Sequence, residues 1–197
     1  LFDRMKLFEV EAPKLAIKSI LECMKRREIK DLTHLITVSC TGLYAPGLDL
    51  DIVNQLNMNT HIQRTAINFM GCYGVFNGLK LAQSICEAST TAQVLIVSVE
   101  LCTLHFQRKN DASLNLSQAL FSDGAASCLV TNEQTSNAFL IDQFYCDILS
   151  EGRNEMSWKI GQHAFDMLLS MKVAKLIKES AKNTVSKLLY KVPFNFS

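Results

Sequence analysis

Thr65-Ala-Ile-Asn-Phe-Met-Gly-Cys-Tyr-Gly74, running on into Val75, Leu79, Ala82 and Cys86, is the stretch that decides the fold. Its first five residues read as a β-strand. Gly71-Cys72-Tyr73-Gly74 reads as a tight turn, because glycine tolerates backbone geometry and close approach that larger residues resist. The apolar residues beyond it recur at helical spacing and predict a helix to about Ala88. Strand, glycine-flanked turn and helix together expose one side chain at the end of a sheet. That side chain is Cys72. The start of a helix carries partial positive charge and N–H groups, which favour a thiolate over a thiol and can stabilise an oxyanion. On these residues alone, Cys72 is equally a nucleophile or a plain thiol, since free cysteine usually behaves as a small core hydrophobe.

The pattern repeats on both sides of this stretch. His34–Ser39 is a short β-branched apolar run and reads as a strand. Thr41–Gly47 reads as a loop, and Asp49 as the N-cap of a helix carrying Ile52, Val53 and Leu56. Gln93–Val99 is almost continuously apolar, as expected of a strand buried on both faces of a parallel or mixed sheet. Strands alternating with helices predict an α/β fold with right-handed crossovers. Upstream, Pro13 is expected to open a helix, with Ala16, Ile20, Cys23 and Met24 as its apolar stripe. Lys25, Arg26 and Arg27 are expected to close that helix as a solvated end.

Downstream, residues 107–117 read as a polar surface loop and Gln118–Phe121 as a short turn or helix. Gly124–Thr131 reads as a strand, and Asp123-Gly124 as the turn into it. Asn132–Asn137 is the most linker-like stretch. It divides the chain into residues 1–132, a first unit carrying Cys72, and 133–197, the beginning of a second. Phe139–Leu149 and Phe165–Leu169 read as strands. Ser170 is then the expected N-cap of a helix marked by Val173, Leu176, Ile177, Ala181 and Leu188.

Charge narrows the function. With 20 basic and 19 acidic residues the formal net charge is +1, which argues against a nucleic-acid surface. No apolar run reaches the roughly 18–20 residues that span a bilayer, so no membrane partner is expected. The seven cysteines are irregularly spaced, with no zinc-type pairing to histidine. They indicate free thiols in a reducing compartment, a cytoplasmic setting, and no metal is expected. Glu100 reads as a buried, paired carboxylate at a strand end rather than a catalytic group.

Four ordered blocks carry a family resemblance. The nucleophile segment Arg64-Thr-Ala-Ile-Asn-Phe-Met-Gly-Cys72-Tyr-Gly-Val-Phe-Asn-Gly-Leu-Lys-Leu-Ala82 comes first. Val97-Ser-Val-Glu100-Leu-Cys-Thr-Leu-His105-Phe106 and Ala119-Leu-Phe121-Ser-Asp-Gly-Ala-Ala126 follow. Trp158-Lys-Ile-Gly161, Phe165-Asp-Met-Leu-Leu-Ser170 and Val173 complete the set. These blocks resemble the type III polyketide synthases, the chalcone and stilbene synthase family of the thiolase superfamily, in wording closer to bacterial members. The resemblance covers nearly the whole chain and implies a thiolase-like αβαβα fold. The chain would hold most of the N-terminal half and the start of the C-terminal half.

What the resemblance implies is an acyltransferase that loads a starter acyl group from coenzyme A onto Cys72. Decarboxylative Claisen condensation with malonyl-CoA follows in the full-length enzyme. Acyl-CoA and malonyl-CoA are substrates, and no resident cofactor is implied. Phe121 matches the gatekeeper between the coenzyme A tunnel and the elongation cavity. His105 and Cys102 match cavity-wall positions, and Thr41 and Ala45 match loop positions near the cavity and the dimer partner. Read without the family, His105 is also a satisfied buried histidine and Phe121 a core aromatic. A homodimer is implied for the full-length protein.

Departures define what the chain lacks. The condensing triad of the family adds His and Asn to Cys. No Trp-x-x-His-Pro-Gly-Gly segment occurs here, and Asn195 lacks the surrounding motif. Val173-Ala174 stands where the family has Val-Pro. Two other readings are a ketoacyl synthase III or hydroxymethylglutaryl-CoA synthase relative, which shares the nucleophile turn, and a truncated pseudoenzyme.

Overall fold

The computed structural model of the chain describes residues 1–135 and 138–191. Eleven regular helices and strands appear in the order α1 (Phe2–Cys23), β1 (His34–Ser39), α2 (Leu48–Gln55), β2 (Gln63–Asn68), α3 (Gly74–Ala88), β3 (Gln93–Glu100), α4 (Ala112–Leu120), β4 (Gly124–Thr131), β5 (Met156–Ile160), β6 (Phe165–Leu169) and α5 (Lys172–Lys191).

Four strands form one sheet in the order β2-β1-β3-β4, and β5 and β6 form a separate antiparallel pair. β1 runs parallel to β2 and β3, while β4 runs antiparallel to β3. The register pairs Ser39 with Asn68 and Val38 with Ser98. The C-terminal ends of β1, β2 and β3 therefore share one edge of the sheet. In open α/β sheets that edge is where ligand-binding loops gather.

β3 explains the two-sided core. Leu95, Val97 and Val99 pack on one face with Phe8, Ala12, Ala16 and Ile20 of α1 and Ile52 and Val53 of α2. Val94 and Ile96 pack on the other with Ile36 and Val38 of β1 and Ala82 and Cys86 of α3. Strand alternation sends successive residues to opposite faces, so a continuous apolar run is what a strand covered on both sides needs. α3 meets the sheet through Gly74, Gly78, Ala82 and Cys86, one small residue every fourth position. A Cβ on Gly74 would sit 3.0 Å from Val38 Cγ1. The expected stripe of Val75, Leu79, Ala82 and Cys86 is thus shifted by one residue at its start, because the helix lies close enough to the sheet to require glycine there.

Several expectations at element ends are corrected. α1 begins at Phe2 and runs through Pro13, which is buried inside it rather than at its opening. Proline removes one intrahelical hydrogen bond; burial of Phe8, Ala12, Ala16 and Ile20 along one face holds the helix across that gap. The basic run follows the helix end at Cys23 instead of closing it, and Arg27 pairs with Glu133 at 2.5 Å. Gly47, with φ +114°, caps α2 in place of Asp49, whose carboxylate instead takes Arg64 at 2.5 Å. Residues 107–117 are not a continuous loop, because α4 starts at Ala112. Asp111 caps it by accepting a hydrogen bond from the Leu114 N–H at 2.8 Å. Asp111→Ala is expected to lower stability by about 1 kcal/mol, the usual worth of such a cap, measured by urea denaturation.

Residues 139–149 form no strand, and Phe139 and Leu140 are exposed. Among the described residues no strand lies beside their apolar run to complete its hydrogen bonds. The linker expectation over Asn132–Asn137 falls partly on residues 136 and 137, outside the described residues. Ser170 acts at the start of α5, where its Oγ accepts the Lys172 N–H at 3.1 Å. Among the described residues no helix is long and apolar enough to cross a membrane.

Candidate functional site

The turn after β2 has two residues in the left-handed region. Phe69 has φ +56° and Gly71 φ +79°. The left-handed region costs a non-glycine residue roughly 1–2 kcal/mol, and such strain concentrates at functional sites. The turn closes when the Gly74 N–H donates to Gly71 O at 2.9 Å. Cys72 sits on it, exposed, two residues before the first residue of α3. The chain therefore places this thiol at the positive end of a fifteen-residue helix.

Around the turn stand the ends of β1 and β3. The Cys40 thiol lies 3.8 Å from Gly71 O, and the Phe69 N–H donates to Ser39 O at 3.3 Å. The Glu100 carboxylate collects the Cys40 N–H at 2.9 Å, the Thr41 hydroxyl at 2.7 Å and the Ser39 hydroxyl at 3.4 Å. Thr41 Oγ1 in turn accepts the Leu101 N–H at 2.8 Å. Burial pushes the Glu100 carboxyl above its ordinary range, outweighing the hydrogen bonds that favour its charge. It is a paired strand-end carboxylate that binds the end of β1 to the end of β3. Glu100→Ala would leave the Cys40 N–H and the Thr41 hydroxyl without their acceptor. A loss of about 1–3 kcal/mol is expected, read from the denaturation midpoint.

Two further thiols share this neighbourhood. Burial, then the Glu100 charge, pushes the Cys40 thiol up. Burial, then Glu100, Asp123 and Cys72, pushes Cys102 up to about 11. At neutral pH both are therefore protonated and weakly nucleophilic, and both are only half-exposed, whereas Cys72 is exposed.

Cys102 opens a 3-10 turn, Cys102–His105, directly after β3. Asp123 grips this turn, accepting the Thr103 N–H at 2.8 Å and the Thr103 hydroxyl at 2.6 Å. Asp123 thus does more than turn the chain into β4: it draws the end of α4, where half-buried Phe121 sits, beside Cys102. His105 is buried, with its Nε2 2.6 Å from Thr41 O and its Nδ1 accepting the Phe165 N–H at 2.9 Å. Ala45 is exposed on the loop before α2.

The structure therefore brings Cys72, Thr41, Cys102 and His105 to one edge of the sheet, with Phe121 tied to it through Asp123. It also adds Cys40, Glu100 and Trp158, whose indole N–H donates to Cys40 O at 2.6 Å. Positions next to a strand end were the available signal for Cys40. Nothing in local sequence reports the Trp158 contact, which spans 118 positions. Asn195 lies outside the described residues. No group of three or more His, Cys, Asp or Glu able to hold a metal occurs among the described residues.

A two-faced mixed sheet with an exposed, helix-backed thiol beside its parallel strand ends is the arrangement of a thiolase-like fold. The N-terminal domain of chalcone and stilbene synthases matches residues 1–134, and the chain belongs to that family. Type III polyketide synthase C of Arabidopsis thaliana is 28% identical over 196 residues, covering 96% of this chain and 51% of the relative. A putative chalcone synthase of Bacillus subtilis (strain 168) is 26% identical, covering 98% and 57%. A polyketide synthase of the brown alga Ectocarpus siliculosus shares the fold with a TM-score of 0.93 at 22% identity, over 99% of this chain and 53% of its own. The C-terminal type III polyketide synthase domain of Steely1, from Dictyostelium, does so with a TM-score of 0.85 at 24% identity, over 97% and 54%. The chain spans about half the length of these relatives.

Proposed function

We propose that the chain is the acyl-loading portion of a type III polyketide synthase-like enzyme, with Cys72 as the acyl acceptor. The observation that carries this reading is the exposed Cys72 thiol on a left-handed turn at the start of α3. The Cys72 thiolate attacks the thioester carbonyl of an acyl-CoA, the carbon–sulfur bond to coenzyme A breaks, and the coenzyme A thiolate leaves and takes up a proton. Phe121 and Cys102 border the path of the acyl chain, His105 closes its wall as a packed ring, and Thr41 and Ala45 shape the loop facing a partner. Membership of the chalcone and stilbene synthase family supports this reading over a ketoacyl synthase III or hydroxymethylglutaryl-CoA synthase relative.

Condensation is a separate matter. In the family it needs a His and an Asn, and no His-Pro-Gly-Gly string occurs in these 197 residues. The chain is therefore proposed to load an acyl group without decarboxylating malonyl-CoA. Incubation with an acyl-CoA, then peptide mass mapping, should place the adduct on Cys72. Equal labelling of Cys86 and Cys128 would sink the assignment. Steady carbon dioxide release from malonyl-CoA by this chain would refute the division of labour.

Exposed Phe69, Met70, Tyr73 and Phe76 surround the thiol and support a homodimer of the full-length protein, since clustered apolar surface marks contact sites. All seven cysteines are unpaired, which supports a cytoplasmic setting. Coenzyme A thioesters are the only small molecules the reaction requires.

A further inference from the structure

His105 stands in an arrangement that acyl transfer does not itself demand. A carbonyl only accepts hydrogen bonds and a backbone N–H only donates them. With Thr41 O at Nε2 and the Phe165 N–H at Nδ1, the ring is the neutral tautomer protonated at Nε2. Its plane stacks on the Phe165 ring, with centroids 4.2 Å apart and 11° between planes. Trp158 meets it edge-on at 5.3 Å. The Trp158 indole N–H holds Cys40 O, the carbonyl beside that of Thr41. Two consecutive carbonyls at the end of β1 thus fasten the β5–β6 hairpin. The same β1 end carries the turn of Cys72, through Cys40 Sγ on Gly71 O and Ser39 O on the Phe69 N–H. Phe165 also packs against Phe69, with centroids 5.2 Å apart.

We infer that His105 is a positioning residue for Cys72, and that protonation of its ring at Nδ1 releases the clasp. A proton on Nδ1 turns an acceptor into a donor facing the Phe165 N–H. The hydrogen bond is lost and two like dipoles oppose each other. β6 then loses its tie at Phe165, its first residue, while Ser113 on Leu169 and Gln107 on Asp166 keep the rest of the strand in place. The contacts of Phe165 with Phe69 and of Trp158 with Cys40 loosen at that end. The inference rests on the reading of Cys72 as the reactive thiol.

The groups around the ring favour its neutral form. On α1, Arg4 donates to Leu104 O and Phe106 O, the carbonyls flanking His105. On β6, Asp166 is turned toward Gln107 Nε2 at 2.9 Å and Lys109 Nζ at 3.9 Å. On β5, Lys159 is exposed. At the ends of β1 and β3, Glu100 is occupied by Ser39, Cys40 and Thr41, and the Cys40 and Cys102 thiols are held protonated. The ring hydrogen bonds to Thr41 O and the Phe165 N–H both go to backbone, and burial, then Arg4, hold the imidazole below its ordinary value of 6.5. The sign follows: the folded state binds the proton less readily than the unfolded chain. The stabilising contribution of His105 is fully present above about pH 6.5 and is lost as pH falls below it.

The test reads both ends of the clasp. Trp158 is the single tryptophan of the chain, so its fluorescence and the hydrogen exchange of the Phe165 amide report the hairpin. The rate of Cys72 alkylation by iodoacetamide, divided by that of a free cysteine derivative at the same pH, reports the turn. As pH is lowered from 7.5 into the range below 6.5, the wild-type chain should show a one-proton transition in Trp158, faster exchange at Phe165, and a change in the alkylation ratio of about 2- to 30-fold, the range of coupling through packed networks. His105→Gln, which keeps a donor and an acceptor without titrating, should abolish the transition. His105→Phe, which keeps the stacking alone, should hold the released values at every pH. A transition that persists in His105→Gln, or a wild-type alkylation ratio that stays flat while Trp158 titrates, overturns the inference. Acyl-CoA loading at pH 7.5 is scored separately: its absence from Cys72 sinks the acyl-transfer reading, while the Trp158 and Phe165 titration stands or falls by itself.

Discussion

Cys72→Ala leaves the chain folded and removes acyl transfer to protein. Release of coenzyme A from an acyl-CoA should fall by at least about 10³-fold, because deletion of a covalent nucleophile removes the whole pathway rather than tuning it. Folding should survive, since Cys72 is exposed and belongs to neither apolar cluster. The decisive comparison is with Cys40→Ala and Cys102→Ala. Both thiols are half-buried and pushed up in pKa by burial first, so neither should take over the acyl group. Mass mapping of the loaded chain and a coenzyme A release assay check all three variants. Retention of coenzyme A release in Cys72→Ala would remove the basis for the proposed function.

The second large effect is on stability. Gly42→Ala places a Cβ among the Cγ, Cδ1 and Cδ2 atoms of the Phe8 ring, a side chain that is 1% exposed. The ring is walled in by the α1–α2 side of the core and by Tyr44, whose ring lies 6.3 Å away. Overpacking typically costs about 1–3 kcal/mol, and a clash with a trapped ring belongs at or beyond the upper end. A loss of about 3 kcal/mol is expected by denaturant unfolding. Phe8→Leu in the same chain should recover part of it, by about 1 kcal/mol relative to additivity, since the two sites touch. Gly42 follows Thr41 directly, so the variant should also disturb the Thr41 carbonyl that His105 holds. If Gly42→Ala is as stable as the parent, the placement of Phe8 is wrong.

Much of the architecture follows from local pattern. His34–Ser39 reads as a strand because it is a short apolar, β-branched run bounded by polar residues, and it is β1 with the same bounds. Gln93–Val99 reads as a two-sided strand because no polar residue interrupts its apolar middle, and both core clusters meet on it. The glycine turn before α3 was legible from Gly71 and Gly74 flanking Cys72, and Gly71 stands in the left-handed region at φ +79°. Expectations failed where the deciding partner lies far along the chain. Asp49 has the chemistry of a cap, yet Arg64 competes for it across fifteen positions. Phe139–Leu149 has the composition of a strand, but a strand also needs a neighbour. Residues 107–117 look like a loop because α4 is short and polar on one side, and its cap, Asp111, resembles any turn residue.

The site divides along the same line. Cys72, Cys102, His105 and Phe121 could be singled out because each stands in a recognisable block, and Thr41 and Ala45 because the resemblance implies a loop at their positions. Their relations could not. The Glu100 cage at Ser39–Thr41, the Asp123 grip on Thr103 and the His105 clasp on Phe165 all join residues at least 20 positions apart. Sequence by itself determined the strands and helices around the thiol, the two-faced sheet and the position of the thiol, because those depend on periodicity and on the glycines flanking the turn. Only the tertiary structure decided which groups hold that thiol's turn in place, because hydrogen bonds between strand ends depend on sheet order and register, which leave no mark on neighbouring residues.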